Sequence, residues 1–439
     1  MKIIADFHIH SKYSRATSPS MDLEELDKWA QIKGINVLGT GDFTHPLWFL
    51  NLQKKLKSAE EGLFILKKQA VVIPTKAGIQ SSAKESWIPN QVGNDTTSAV
   101  RFLLTCEISC IYKKPIRRGL AQDSKVRKVH IIIFAPSFET VKKINKKLAS
   151  IGNLKSDGRP ILGLDAKELL KIILDIDESC FVVPAHIWTP WFSLFGSKSG
   201  FDQIEECFDE YSKYIYAVET GLCSNPAMNW RVSNLDKVAL ISNSDCHSAS
   251  KIGREANIFN TELSYNGIIN AIKSKDKNKF LHTIEFFPEQ GKYHFDGHRN
   301  CKISFSPYQS KKANNICPVC KKPLVIGVLN RVEELADRKE GFMPKNAVPY
   351  KSLIPLQEII ASSIGKTVLA KDVGIYYEKL TKNLGTEFNI LLDLNKKEIE
   401  SFSLPEIAEG ILHVREGRVK IEPGYDGLYG KIKIFDNLK

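Results

Sequence analysis

The sequence MKIIADFHIH, residues 1–10, contains a short apolar run and ends with two histidines that are separated by one residue. Side chains two residues apart on a β-strand point to the same face, so His8 and His10 are expected to project together from the end of one strand. Two imidazoles placed in this way can share a metal ion or begin a larger ligand cluster. The plainer alternative is that two histidines merely finish a strand, and the ends of later strands decide between the two.

The composition is that of an ordinary globular chain with a basic surplus. Its 439 residues leave room for two or three domains, and a net charge of +12 favours a polyanionic partner only weakly, because the basic residues are dispersed. No apolar run approaches the roughly 18 residues of a membrane span, and the start lacks the pattern of a secretion signal. Nine cysteines without such a signal indicate a reducing cytoplasm, so we expect a cytoplasmic protein with no membrane partner.

Short apolar runs alternate with amphipathic helical patterns up to about residue 285. The predicted strands are Lys2–Asp6, Asn36–Gly39, Phe102–Cys106, Val129–Ala135, Cys180–Ala185, Ile215–Val218 and Ala239–Ser242. The predicted helices are Asp22–Lys33, Trp48–Leu66, Phe138–Ile151, Asp165–Ile176, Phe201–Lys213, Pro226–Leu235 and Tyr265–Ser274. Near-continuous apolar runs are typical of buried parallel strands, and seven strand–helix units favour a closed α/β barrel over an open sheet.

Histidines and carboxylates stand at the ends of these predicted strands. Besides His8 and His10 they are Asp42, His45, Glu107, His130, His186, Glu219, Asp245 and His247. Each has a plainer explanation alone, such as a helix cap for Asp42 or a satisfied core histidine for His186. Because the carboxyl ends of parallel strands meet on one face, a single metal cluster explains them together. His130 fits least well, since it opens its predicted strand.

A second group of metal-ligand residues lies between residues 288 and 330. The candidate ligands are Cys317 and Cys320, which form a Cys-x-x-Cys pair, Cys301, and either His298 or His294. Four such ligands would make a structural zinc site, although Ser304 stands where a second Cys-x-x-Cys pair would be completed. A redox role is less consistent, because the pair does not open a helix in a thioredoxin-like setting. The other reading is a knuckle that has lost its metal.

The remaining patterns are less specific. We predict a strand over Leu324–Leu329, then helices over Arg331–Arg338, Leu356–Ser363, Val373–Leu384 and Leu404–Arg415, and a final strand. The lysines of this C-terminal part suit contact with a nucleic-acid backbone or merely a solvated face.

Aromatic residues crowd the segment after His186, namely Trp188, Trp191, Phe192 and Phe195. They indicate either core packing or a platform that unstacks a base. Tyr13, Ser14 and Arg15 are candidate phosphate contacts.

Several of these motifs carry a family resemblance. HIH (8–10), GDFTH (41–45), PAH (184–186) and SDCH (244–247) together resemble the polymerase and histidinol phosphatase (PHP) superfamily. Longer segments resemble the endonuclease Q family within it. These are HIHSKYSRATS (8–18), PAHIWTPWFSLFGSKSG (184–200), ETGLCSNPAMNWR (219–231), YHFDGHRNC (293–301) and CPVCKKPLVIGVLNRVEELADR (317–338). The segment Gln69–Ser98 has no recognised counterpart and is expected to be an inserted surface loop.

The resemblance implies a distorted (β/α)7 PHP barrel over residues 1–287, a small zinc-binding module over 288–330, and a smaller α+β C-terminal domain over 331–439 that binds nucleic acid. It implies that the ten strand-end residues are metal ligands, with Asp245, His8 and His247 catalytic, and that His298, Cys301, Cys317 and Cys320 hold structural zinc. The catalytic metal would be zinc, with Mn²⁺ or Mg²⁺ as alternatives.

The implied activity is cleavage of damaged DNA, duplex or single-stranded, on the 5′ side of hypoxanthine, uracil, xanthine or an abasic site, by a cytoplasmic, nucleoid-associated enzyme. A sliding clamp is an open further partner, although no convincing clamp-binding peptide stands at either terminus. Two alternatives belong to other classes. A PHP phosphatase for a small phosphomonoester leaves the last 150 or so residues without a role, and a non-catalytic DNA-binding protein would be expected to lack ligands.

Overall fold

The computed structural model describes residues 1–67, 99–115 and 124–435, and the predicted inserted segment 69–98 lies outside the described residues. The strands are β1 (Lys2–Asp6), β2 (Val37–Gly39), β3 (Leu56–Ser58), β4 (Leu63–Leu66), β5 (Arg101–Pro115), β6 (Ser124–Ala135), β7 (Ile161–Leu162), β8 (Phe181–Pro184), β9 (Ala217–Glu219), β10 (Ala239–Ile241), β11 (Ala256–Asn260), β12 (Phe280–Glu285), β13 (Asp296–His298), β14 (Ile303–Phe305), β15 (Tyr350–Ser352), β16 (Lys420–Glu422) and β17 (Lys431–Lys433).

The helices pack around these strands, and several begin at a residue whose side chain caps them, such as Asp22, Ser137 and Ser264. They are α1 (Leu23–Lys33), α2 (Pro46–Lys55), α3 (Phe138–Ala149), α4 (Ala166–Ile176), α5 (Ile204–Phe208), α6 (Pro226–Asn229), α7 (Tyr265–Ser274), α8 (Pro307–Lys312), α9 (Val328–Leu335), α10 (Leu356–Ser363), α11 (Lys371–Leu384), α12 (Glu387–Leu392), α13 (Lys396–Glu400) and α14 (Pro405–Arg415). The fold is therefore mixed α/β.

Parallel and antiparallel pairing both occur in the main sheet, so the prediction of uniformly parallel strands is wrong. β1 runs parallel to β2 and antiparallel to β11, and β2 runs parallel to β5. β6 runs antiparallel to both β5 and β8. An apolar run shows that a strand is buried but not in which direction it runs, which is why the sequence pattern did not reveal the reversal. The expected barrel stays a prediction.

Other elements also differ from expectation. The predicted helix Trp48–Leu66 ends at Lys55 and gives way to the β3–β4 hairpin, whose turn uses Gly62 at φ +68°. The predicted strand Leu324–Leu329 is wrong, because only Val325 forms a bridge, to Gly297, before α9 begins at Val328. Strands β11 and β12 were not predicted.

The C-terminal region is tied into the main sheet and to α1. β15 pairs in parallel with β12 and so extends the main sheet by one strand. Lys33 at the end of α1 makes a buried ion pair with Glu387 on α12, with 3.0 Å between Nζ and Oε2. The hydroxyl of Tyr377 donates to the same carboxylate at 2.7 Å. Among the helices described, none is both long and apolar enough to cross a membrane.

Candidate metal centre

The histidine pair lies just beyond the end of β1, where a local backbone contact fixes it. Ile9 bridges to Cys246 in parallel, and the amide of His10 donates to the Cys246 carbonyl at 3.1 Å. His8 and His10 are both buried. This contact brings the two imidazoles beside Asp245, which comes from the far end of the first 250 residues.

Four side chains meet there as a first group of ligands, His8, His10, Glu107 and Asp245, with their ligand atoms within 4.8 Å of one another. His10 Nε2 lies 3.1 Å from Asp245 Oδ1 and 3.3 Å from Glu107 Oε2. His8 Nε2 lies 3.6 Å from the same two oxygens and is a buried atom without a hydrogen-bond partner among the described residues. A buried nitrogen facing two carboxylate oxygens without bonding either is what a metal position provides, so the donors fit a divalent ion.

A second group shares Glu107 with the first. Glu107 Oε1 lies 2.7 Å from His130 Nδ1 and 3.1 Å from His186 Nε2, while its Oε2 faces the first group. His130 lies in the middle of β6, the strand adjacent to Glu107. In the antiparallel register of β5 and β6, His130 is offset by two residues from the position opposite Glu107, so the two side chains can meet. One carboxylate whose two oxygens face two sets of nitrogens can bridge a pair of metal ions.

Charge complementarity sets the protonation of this cluster. Burial alone would raise the pKa of Glu107, but His130, Arg159 and His8 outweigh it and hold that pKa well below its usual range. The pKa of Asp245 is lowered against burial by His8 and His10. Burial would lower the pKa values of His8 and His10, yet their carboxylate neighbours raise both well above normal. Both carboxylates are thus ionised and available to a cation at neutral pH.

Two predicted ligands, Asp42 and Glu219, lie behind the histidines instead of within either group. Asp42 Oδ1 is 3.0 Å from His10 Nδ1, and its Oδ2 accepts bonds from Ser11 and from Ser14. Both oxygens of Glu219 lie 3.1 Å from His8 Nδ1. A carboxylate on Nδ1 fixes the tautomer and turns Nε2 towards the cluster.

His45 and His247 also lie outside the two groups. His45 precedes α2, stacks on Tyr13 with ring centroids 4.4 Å apart, and keeps Nδ1 unbonded within the described part of the chain. His247 is partly exposed, and its ring centroid is 4.6 Å from that of His10. It therefore lies at the open side of the cluster.

The sequence prediction missed Arg159. Its Nη1 lies 3.1 Å from Glu107 Oε2, and Asp157 accepts bonds from the backbone amides of both Arg159 and Arg15. The arginine stands in a turn before β7, where no motif or spacing marks it. Its proximity to the shared carboxylate is a product of the fold.

The predicted nucleic-acid contacts divide into buried and exposed residues. Trp188 is buried and donates Nε1–H to Asn229 at 2.7 Å, so it belongs to the core and not to an exposed platform. Ser14 is likewise buried and bonds Asp42. Trp191 is 53% exposed, and the ring centroid of Phe192 lies 4.9 Å from that of His130. Arg15 is exposed and Tyr13 half-buried.

The predicted zinc ligands form a third group. His298, Cys301, Cys317 and Cys320 place their ligand atoms within 4.8 Å of one another, whereas His294 is buried outside this group. Burial alone would raise the pKa of the Cys317 thiol, but the backbone amides of Cys320 and Val319 lower that pKa to about 7. Three thiols and one imidazole are a donor set suited to structural zinc.

Comparison with known proteins places the chain in a family. A family model described as the MJ0043 C-terminal domain matches residues 355–418. The sequence is 35% identical over 268 residues to the uncharacterized protein MJ0043 of Methanocaldococcus jannaschii, covering 58% of this chain but only about a third (33%) of that relative's length. It is 30% identical over 310 residues to the uncharacterized protein YqxK of Bacillus subtilis, covering 70% of this chain and 74% of YqxK.

Two solved structures match nearly end to end. The lesion-specific endonuclease PfuEndoQ from Pyrococcus furiosus superposes with a TM-score of 0.81 at 29% identity, covering 99% of this chain and 96% of that one. A complex of endonuclease Q with a 27-mer duplex bearing an abasic lesion at the active site gives a TM-score of 0.79 at 29% identity, covering 99% and 97%. The chain belongs to the endonuclease Q family, as its sequence motifs predict.

Proposed function

We propose that this protein is a metal-dependent DNA repair endonuclease that hydrolyses the phosphodiester bond 5′ of a deaminated base (hypoxanthine, uracil or xanthine) or of an abasic site. The observation that carries the proposal is Glu107, whose two oxygens face two separate groups of ligands. Paired metal sites are a recurring solution for phosphoryl transfer. In this proposal residues 1–287 form a PHP barrel, 288–330 a zinc module and 331–439 a C-terminal domain that contacts DNA.

The residues have distinct roles in this proposal. His8, His10, Glu107 and Asp245 would hold one metal ion, and Glu107, His130 and His186 a second. Zinc suits the histidine-rich donors, and Mn²⁺ or Mg²⁺ are the alternatives. Bound divalent ions lower the pKa of water and neutralise charge that develops on a phosphate. Asp42 and Glu219 hold the imidazoles of His10 and His8 in the ligating orientation.

Positive and aromatic side chains around the cluster support a DNA substrate over a small phosphomonoester. Arg159 lies beside the shared carboxylate, where its guanidinium can contact a scissile phosphate. The ring of Phe192 lies 4.9 Å from that of His130, and Lys128 Nζ is 5.4 Å from the ring centroid of Trp191 and 5.2 Å from that of Phe192. An exposed indole with an adjacent ammonium suits stacking on a displaced base beside the backbone. The abasic-site complex of the endonuclease Q relative supports the same class of substrate.

The test uses end-labelled duplexes that are identical except for one deoxyinosine, deoxyuridine or abasic site, or none. We incubate them with the protein and Mn²⁺, Mg²⁺ or Zn²⁺ and size the products on a denaturing gel. A single cut 5′ of the altered position, absent from the unmodified duplex, is the expected result. Uncut strands under every metal condition, together with turnover of small phosphomonoesters, would overturn the proposal in favour of a phosphatase.

Two variants separate catalysis from binding in that assay. Asp245→Asn and His8→Ala each remove a proposed ligand of the first metal and should abolish cleavage, while affinity for the abasic duplex, measured by fluorescence anisotropy, stays near that of the wild type. Turnover retained in either variant would contradict the assignment.

A further inference from the structure

Arg331 is a buried arginine outside the metal cluster that the proposed chemistry does not use. It lies on α9, immediately after the zinc module, and is only 7% exposed. Its Nε donates to the carbonyl of Phe195 and its Nη2 to the carbonyl of Phe201, both at 3.1 Å. Nη2 also meets Asp202 Oδ1 at 2.5 Å. One guanidinium therefore fastens two points of the segment 187–202, here named the aromatic loop.

The aromatic loop is in turn bonded to the strand that carries a proposed ligand. The amide of His130 donates to the carbonyl of Phe192 at 3.0 Å, and the amide of Phe192 meets Ser199 Oγ at 3.2 Å. The loop closes on itself where the amide of Phe195 bonds the Ile187 carbonyl at 2.8 Å. Trp191 and Phe192 lie only a few residues before the first of the carbonyls that Arg331 holds. A displacement of those carbonyls should therefore also displace the side chains of Trp191 and Phe192.

The start of α9 is fixed to the zinc module. Asp296, fully buried on β13, accepts from the amide of Gly327 at 2.6 Å and from Asn330 Nδ2 at 2.5 Å. Gly297 and Val325 exchange two backbone hydrogen bonds, of 3.0 and 2.8 Å. β13 ends at His298, one of the four proposed zinc ligands. The orientation of α9, and with it the position of Arg331, therefore depends on whether the module is folded.

We propose that Arg331 is a positioning residue that holds the aromatic loop against the metal cluster, and that zinc in the module acts on DNA engagement through it. The effect on DNA engagement rests on the proposed function. The effect of Arg331 on the position of the aromatic loop does not. Arginine suits this position because its planar fork presents separate N–H donors to the two carbonyls and to Asp202 at once, whereas a lysine has a single nitrogen on a flexible stem. Removing the fork leaves two buried carbonyls without their donor, so the loop loses its fixed position.

Arg331→Met is the test variant and Arg338→Met the matched control. Arg338, which follows α9, also bonds residues from the first part of the chain, namely the Trp230 carbonyl and the Asp236 carboxylate. These hydrogen bonds do not involve the aromatic loop. The first readout needs no DNA. Acrylamide quenching of Trp191, taken as the difference between each variant and its Trp191→Phe partner, should rise in Arg331→Met and stay unchanged in Arg338→Met. Unchanged quenching in Arg331→Met, or an equal rise in the control, would overturn the proposal.

The second readout is cleavage of the abasic duplex. Arg331→Met should raise KM by about 10-fold with kcat within about 3-fold, since hydrogen bonds from a charged donor are worth roughly that ratio. Cys320→Ser should raise KM similarly, and the double variant should be no worse than either single one, because both act through the same contact. Additive losses would contradict the coupling. If Arg331→Met does not fold, Arg331→Lys replaces it, with an intermediate rise in quenching expected and wild-type quenching overturning the proposal.

Discussion

The proposed metal centre and the proposed zinc module are both clusters of potential ligand side chains, but they are assembled in opposite ways. The metal centre collects residues from His8 to Asp245, supplied by several different strands and strand ends. The module collects its four ligands between His298 and Cys320, from the short β13–β14 hairpin and the turn that comes after α8. One cluster therefore depends on the whole sheet and the other on a local stretch.

The two clusters also differ in how deeply their ligands are buried and in what supports them. The ligands of the centre are mostly buried, and His8 and His10 are each held from behind by a carboxylate. Among the four ligands of the module only Cys317 is fully buried, and the contact between Cys320 Sγ and His298 Nδ1, at 3.4 Å, joins two ligands to each other. We infer that the fold builds the metal centre in advance, whereas metal binding completes the module.

Replacing the shared carboxylate tests this comparison with the largest expected effect. Glu107→Gln removes the charge that both ligand groups use, so cleavage should fall by roughly 10³-fold or more. The circular dichroism spectrum and thermal midpoint should stay close to those of the wild type, because the sheet does not need the metals. Measured metal content should drop at the centre and not at the module. Activity within tenfold of the wild type would refute a shared ligand.

Cys320→Ser tests the second cluster of the comparison, the proposed zinc module. Since zinc binding supplies the folding free energy of small metal modules, loss of one thiolate should release one zinc ion per chain and unfold residues near the knuckle. Limited proteolysis should then cut between residues 288 and 330 first, while metal at the centre is retained. Protease resistance equal to the wild type would mean that the module is also built in advance.

Asp42→Asn probes the support behind His10. The amide can still accept from Ser11 and Ser14 but no longer carries the charge that pairs with the imidazole, so the affinity of the first metal position should fall by about 10- to 100-fold. Calorimetric titration with Mn²⁺ measures this, and excess metal should restore cleavage. A loss that excess metal does not restore would point to a direct catalytic role for Asp42.

The smallest expected effect is on pH dependence. The pKa values of His8 and His10 are raised in the metal-free protein, against burial, by Glu219 and Asp42 together with Glu107 and Asp245. A metal ion must displace those protons, so apparent metal affinity should increase as pH rises above 6.5, by less than about tenfold per pH unit for each proton released. Titration at pH 6.5, 7.5 and 8.5 checks the sign. An affinity that does not change with pH would show that the histidines bind metal without losing a proton.

The sequence was most informative where a motif has its own spacing. His8-Ile9-His10 and the Cys-x-x-Cys pair meet in space as their local geometry predicts. Contacts between residues far apart in the sequence are predicted less well. The sequence pattern predicts that His130 lies at the start of a strand, whereas β6 begins at Ser124 and runs antiparallel to β5 beside Glu107.

Other features leave no pattern in the chain. Arg159 reaches Glu107 only after α3 has folded back, and the choice between His298 and His294 depends on the β13–β14 hairpin. Asp42 and Glu219 match the pattern of ligands, yet side-chain direction sets them behind the histidines.

The pairing of β15 with β12 also bears on synthesis of the chain. The partners of Thr283, Ile284 and Glu285 are Tyr350, Lys351 and Ser352, which are synthesised 67 residues later. At ribosomal speeds that interval lasts roughly 3 to 13 s, during which β12 presents an open edge to its surroundings. A nascent chain that stalls inside the proposed zinc module would therefore expose the unpaired edge of β12, and chains truncated near residue 330 are expected to associate through it.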